Sequence, residues 1–238
     1  KYTMKVIILC GGLGTRLVEE TKTKPKPMVK IGNKPIIWHL IKYYQYYGFN
    51  DFILATGYKS NILKDFFQNT KIKSSKINLI YTGKDSLTGG RLLRLKKYIN
   101  DENFLLTYGD GLSNVNLRKL VNFHNRNKSI ATLTAVRPPV RFGEISISSK
   151  GNVKEFKEKP QASSNWINGG FFVMNKKIFN YLKNDKTILE RYTLEKLVKN
   201  KKLSAYKHFS FWQCMDTMRD KIYLNKLWKE NKTPWKKW

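Results

Sequence analysis

A chain of 238 residues with 41% hydrophobic and 13% aromatic residues has a globular composition, long enough for one α/β domain with a sizeable core. No run approaches the roughly 20 apolar residues needed to cross a bilayer. "KVIILC" is too short for the apolar part of a secretion signal, so a cytoplasmic protein with no membrane partner is expected. The two cysteines, Cys10 and Cys214, suggest no disulfide framework, and no Cys/His spacing reads as a zinc site.

The formal net charge is +29. A polyanion partner would account for it. So would coding bias, because Lys, Asn, Ile, Tyr and Phe are all abundant. The lysines of "KIKSSK", "NKKLS" and "KENKTPWKKW" are scattered and form no stripe, and no nucleic-acid motif accompanies them. Coding bias is the simpler account, and no nucleic-acid partner is expected.

The elements alternate. "KVIILC" is a continuous apolar run, as in a strand buried on both faces. A helix is predicted from about Pro35 to Tyr47, with proline in its first turn and Gly48 as its stop. "DFILAT" reads as a strand, "SNILKDFFQN" as an amphipathic helix and "INLIYT" as a strand. "GGRLLRLKKYI" follows as a helix, and "NFLLTYGDG" as a strand ending in a tight turn. Helix "NLRKLVNFHNRN" and strand "SIATLTAV" complete a pattern that predicts a mainly parallel sheet covered on both sides.

After "RPPVRFG" the texture changes. "EISISSKGNVKEFKEKP" alternates around Lys-Gly-Asn and reads as a β-hairpin. "INGGFFVM" is a strand, "KTILERYTLEKLVKN" a helix, and "LSAYKH" and "FWQCMD" are further strands. "TMRDKIYLNKLWKENK" closes the chain as a helix, with Asp216 or Thr217 as its N-cap. Ligands of open α/β sheets sit where strands end in loops. Those loops are Gly11–Arg16, Gly109–Gly111, Arg141–Gly143 and the stretch around Asp216.

The first of these, "GGLGTR", resembles two phosphate-binding loops and matches neither. A dinucleotide fingerprint needs a third glycine where Leu17 stands, and an acidic residue downstream where "KTKPKPMVK" is basic. A Walker loop needs Gly-Lys-Ser/Thr where the chain has Gly14-Thr15-Arg16. What remains is a backbone able to approach phosphates closely, backed by Arg16 and Lys26. Such a set suits a triphosphate whose charge must be stabilised while a bond breaks. A plain glycine turn is the structural alternative. Asp110, between Gly109 and Gly111, and Asp216, in "FWQCMDT", are candidate oxygen ligands for Mg²⁺. Taken singly they read equally well as a turn residue and a helix cap.

"GGLGTRL", "KPKPMV", "IGNKPI", "YGDG", "PPVRFGEI", "FKEKP", "INGGFFV" and "FWQCMDTMRDK", in this order, resemble the sugar-1-phosphate nucleotidyltransferases. "TGGR", "WINGGFFV" and "FWQCMDT" narrow the likeness to the glucose-1-phosphate cytidylyltransferase branch, from Met4 to the C-terminus. The resemblance implies a Rossmann-like mixed sheet in one domain, with a nucleotide-binding part of about 1–136 and a sugar-binding part of about 137–238. It implies attack of a sugar 1-phosphate on the α-phosphorus of CTP with loss of pyrophosphate, in a homo-oligomer that requires Mg²⁺. The same chemistry with another base or sugar phosphate is the alternative.

By the same resemblance, Leu9, Gly11, Gly12, Leu13, Gly14 and Thr15 contact the nucleotide, while Thr88, Gly89, Gly90 and Arg91 help read its base. Arg16 and Lys26 stabilise the phosphates, and Asp110 and Asp216 hold the metal. Lys159 holds the sugar phosphate, with Gly143, Glu158, Asn168 and Gly169 along the sugar, and Glu190, matching an upstream acid, also binds the substrate. A buried Glu-Lys pair is the structural reading of Glu158 and Lys159. Val140 and Tyr192-Thr193 depart from the family's usual Gly and Glu-Pro, which leaves the acceptor sugar less fixed than the reaction. Cys10 and Cys214 read as packing residues, and His39, His124 and His208 carry no assigned chemistry.

Overall fold

The computed structural model describes residues 4–138, 143–158 and 165–238. Strand β1 (Val6–Leu9) is fully buried and lies between two parallel neighbours, β4 (Asp51–Thr56) and β6 (Asn103–Tyr108). Strand β5 (Lys76–Tyr81) extends the parallel set beyond β4. The small ribbon of β2 (Lys30–Ile31) and β3 (Lys34–Pro35) turns at Gly32.

On the other side of β6 lies β12 (Phe172–Asn175), antiparallel to it and to β8 (Ala131–Val136). Strand β11 (Ile167–Asn168) pairs antiparallel with the far end of β8, and β13 (Leu203–His208) runs parallel along its other side. The result is a mixed, mainly parallel sheet. The chain adds two further ribbons: β9 (Glu144–Ile147) with β10 (Val153–Lys157), and β7 (Gly111–Ser113) with β14 (Trp212–Cys214).

Successive residues of β1 feed opposite faces, as the strand period requires. Val6 and Ile8 join the layer built by α2 (Ile36–Tyr46), α3 (Ser60–Asn69), α5 (Leu117–Asn127) and α7 (Met218–Lys229). Ile7 and Leu9 join the layer of α4 (Thr88–Arg94) and α6 (Glu195–Lys199). With both faces covered, no polar residue interrupts the strand. One further helix, α1 (Val18–Thr21), is a single turn.

Most predicted elements sit where the pattern puts them, and the exceptions have local causes. Pro35 ends β3 and precedes α2 instead of lying in its first turn. "INGGFFVM" is two strands, because Gly170 (φ 73°) and Phe171 (φ 46°) are left-handed and break the ladder between Asn168 and Phe172. The helix of "KTILERYTLEKLVKN" begins only at Leu189, as a widened turn (Leu189–Leu194) of the π type. Thr217, not Asp216, caps α7, in a capping box with Asp220.

Candidate active site

A cleft of about 370 Å³ opens at the C-terminal ends of β1 and β6, lined by the glycine loop, Lys26, Thr88, Arg91, Tyr108 and Asp110 among others. Its position follows from topology, since loops that leave neighbouring parallel strands on the same edge leave a crevice between them. Leu9, Gly11, Gly12, Gly14 and Thr15, the residues expected to contact a nucleotide, line it. Leu13 does not, and its side chain is half exposed. A Cβ on Gly12 would meet nothing within 4 Å, so the loop faces open space there. Gly14 is left-handed, with φ 68°.

The site's charges meet at Lys26. Its Nζ donates to Asp110 Oδ2 at 2.6 Å and to Asp216 Oδ1. Arg16 Nη1 lies 2.7 Å from the second oxygen of Asp216. The two carboxylates are brought together by the β7–β14 ribbon, where Cys214 is paired with Gly111 and Met215 N–H donates to Asp110 O at 2.8 Å. Each aspartate therefore sits just outside a paired strand. Neither carboxylate is absorbed by local structure: Thr217 caps α7, and Asp220 Oδ2 accepts from the Asp216 N–H. Burial pulls the Lys26 ammonium down, but Asp110 and Asp216 outweigh it and hold the group above its ordinary value. It remains a cation.

The "TGGR" motif is turned inward. Arg91 is buried and donates to the carbonyls of Gly11 (2.9 Å), Gly83 (2.6 Å), Lys84 (3.1 Å) and Thr56 (3.3 Å) and to Thr82 Oγ1 (3.0 Å). One guanidinium thus joins the loops that follow β1, β4 and β5. Gly89 and Gly90 allow the start of α4 to press against the chain at 185–187. Both amides donate to Thr187 O, and a Cβ on Gly90 would lie 2.5 Å from Asp185 Cα. Thr88 Oγ1 donates to Glu190 at 2.7 Å. The motif shapes the cleft wall with donors already engaged.

Asn168 stands at this edge through Tyr108, whose hydroxyl it approaches at 3.4 Å. Gly169 packs on Val136, and its carbonyl accepts from Trp212 Nε1 at 2.7 Å. A Cβ on Gly143 would lie 3.1 Å from Glu158 Oε2, so these two meet at the base of the β9–β10 hairpin and not in the cleft wall. Lys159 and Val140 lie outside the described residues. Burial raises the thiol of Cys10 and pushes that of Cys214 up to about 12, with the Asp216 charge adding to the second. Both stay protonated and neither is a nucleophile. Sequence reasoning missed Tyr108 as a cleft residue; its place directly before Gly109-Asp110 is the only signal it gives.

Comparison with known proteins agrees in extent. The family model described as "Nucleotidyl transferase" matches residues 5–226. The glucose-1-phosphate cytidylyltransferase of Salmonella typhi is 44% identical over 99% of this chain and its own full length. The probable glucose-1-phosphate cytidylyltransferase of Bacillus subtilis is 42% identical over the same share of both. Among solved structures, HddC from Yersinia pseudotuberculosis superposes with a TM-score of 0.77 at 26% identity, covering 95% of this chain and all of its own, and one of its structures is a complex with GMP-PN. The family match spans the glycine loop, both aspartates and the central sheet, and the chain belongs to the nucleotidyl transferase family.

Proposed function

We propose that this chain transfers the cytidylyl group of CTP to α-D-glucose 1-phosphate, giving CDP-glucose and pyrophosphate. The observation that carries the reaction type is the convergence of Lys26, Arg16, Asp110 and Asp216 beside a glycine-lined cleft. The choice of base and sugar is supported by the likeness to the cytidylyltransferases of Salmonella typhi and Bacillus subtilis.

The sugar phosphate is already ionised at neutral pH, so its oxygen attacks the α-phosphorus without a general base and the pyrophosphate oxygen leaves. Catalysis is then positioning and charge neutralisation. Gly11, Gly12 and Gly14 let the backbone lie close along the triphosphate. Lys26 and Arg16 neutralise charge that develops toward the departing pyrophosphate. The arrangement has no need of a Ser-His-Asp or Cys-His set, and the cysteine nearest the loop, Cys10, is held protonated.

Mg²⁺ fits the donor set. It takes one or two carboxylates together with phosphate oxygens and water, and Asp110 and Asp216 already converge on one cation, the Lys26 ammonium. Those two residues would hold it, and when bound it supplies charge neutralisation to the triphosphate. In this reading the part from about 1 to 136 binds nucleotide, the remainder receives the sugar, and the chain works as a homo-oligomer. Gly143, Glu158, Lys159, Asn168 and Gly169 are its sugar-side residues.

The test is pyrophosphate release across a grid of CTP, UTP, GTP and dTTP against glucose 1-phosphate and heptose 1-phosphates. CTP with glucose 1-phosphate should be fastest. Preference for another pair would keep the chemistry and replace the substrates, and no release from any pair would end the proposal.

A further inference from the structure

Glu190 stands at the centre of a hydrogen-bond chain that crosses the cleft edge. Its Oε2 accepts from Thr88 Oγ1 at 2.7 Å, at the first turn of α4. Its Oε1 accepts from Tyr108 OH at 2.5 Å, at the end of β6 and two residues before Asp110. Tyr108 OH in turn accepts from Asn168 Nδ2 at 3.4 Å, while Asn168 Oδ1 accepts from Gly170 N–H at 3.0 Å. Thr88 Oγ1 also accepts from Leu189 N–H at 3.0 Å.

Three facts make this more than a cluster of polar contacts. The four residues come from four different elements: α4, β6, β11 and the π-type turn at Leu189–Leu194. That turn is a local departure from α-helical geometry, and such departures persist where the surrounding structure holds them. The phenol is held in place as a donor, its hydroxyl directed at Glu190 Oε1 and its oxygen met by Asn168. Its ring is also fixed, edge-on to Phe172 at 5.9 Å between centroids and against Gly170, where a Cβ would come within 3.0 Å.

We propose that Glu190 and Tyr108 are positioning residues that couple the two substrate sites: Glu190 ties the nucleotide-side helix α4 to Tyr108, and Tyr108 ties the metal-side strand end to Asn168 on the sugar side. Both carboxylate oxygens of Glu190 are engaged within the protein, so it acts through its partners and not as a ligand of the sugar. The inference rests on the substrate assignment above for which side is which. The chain itself rests on geometry alone.

Coupling predicts that damage at one end is felt at the other. Thr88→Val removes only a nucleotide-side hydroxyl, yet it should raise KM for the sugar phosphate three- to tenfold. Asn168→Ala, at the sugar-side end and outside the cleft lining, should raise the Kd for CTP, measured calorimetrically without turnover, by a similar factor. The double variant should be no worse than the weaker single one, since both cut the same chain. Thr88→Ser, which keeps the hydroxyl, should restore wild-type values and so separates loss of the bond from loss of fold.

Singles that change only their own side, or effects that multiply in the double variant, would overturn the coupling. If the wild type turns over no sugar phosphate, the substrate reading fails. The nucleotide Kd values of Asn168→Ala, Thr88→Val and the double variant then still decide the proposal.

Discussion

The ammonium of Lys26 is 2.6 Å from Asp110 and also bonded to Asp216, across 84 and 190 residues of sequence respectively. Without that cation the two carboxylates would repel across the cleft edge. Lys26→Met should therefore lower kcat/KM by roughly two to three orders of magnitude, the size seen when one donor to a developing charge is removed. It should also lower Tm in the absence of metal, and added Mg²⁺ or Mn²⁺ should recover much of that loss by replacing the ammonium. A melting curve insensitive to divalent ions in the variant would show that the aspartates do not share a cation site.

Arg91 is a latch rather than a free cation in the cleft. Arg91→Met would remove the guanidinium from the carbonyls of Gly83 and Lys84 and from Thr82 Oγ1 at once, while the carbonyls of Thr56 and Gly11 would keep the N–H groups of Thr82 and Tyr58. Each buried group left unpaired costs about 1–3 kcal/mol, so the expectation is failure to accumulate as folded protein or a large drop in Tm. Arg91→Lys, with one point donor in place of a fork, should be intermediate. Thermal denaturation of the three proteins tests the order.

Two glycines separate packing from function. A Cβ on Gly90 would strike the Asp185 backbone, whereas one on Gly12 meets open space at an ordinary φ. Gly90→Ala should destabilise by displacing α4 from the 185–187 segment. Gly12→Ala should melt like the parent and instead raise KM for the nucleotide, because its methyl would occupy the space that the proposed function gives to the phosphates. Equal melting losses in both variants would refute that division.

Burial pushes the rings of His39 and His124 down to about 4. As pH falls through 6.5 the unfolded chain takes up protons that the folded chain refuses until about 4. Stability is therefore full above pH 6.5 and falls between there and 4, by up to about 3 kcal/mol per ring. His124→Asn should begin less stable at pH 7.5, since Thr132 loses its 2.8 Å partner, yet lose less on acidification than the parent. Urea titrations at several pH values provide the comparison, and parallel pH profiles would count against the assignment.

What the sequence determined by itself was whatever depends on near neighbours in the chain. The apolar run at Val6–Leu9, the strand Asp51–Thr56 and the helix Ser60–Asn69 were legible because side-chain period and stop signals are local properties. The glycine loop with Arg16 and Lys26, and the family likeness, were legible for the same reason. Tertiary structure decided how those residues are used. Only the β7–β14 pairing brings Asp216 to Asp110, and only the capping of α7 by Thr217 leaves Asp216 for the site. The inward turn of Arg91, the packing of Gly89 and Gly90 on Thr187 and Asp185, and the bridge from Thr88 through Glu190 to Tyr108 likewise join segments distant in sequence. Hydrogen bonds between such segments leave no periodic trace in the chain, since each needs only one suitable side chain at the point where two elements happen to meet.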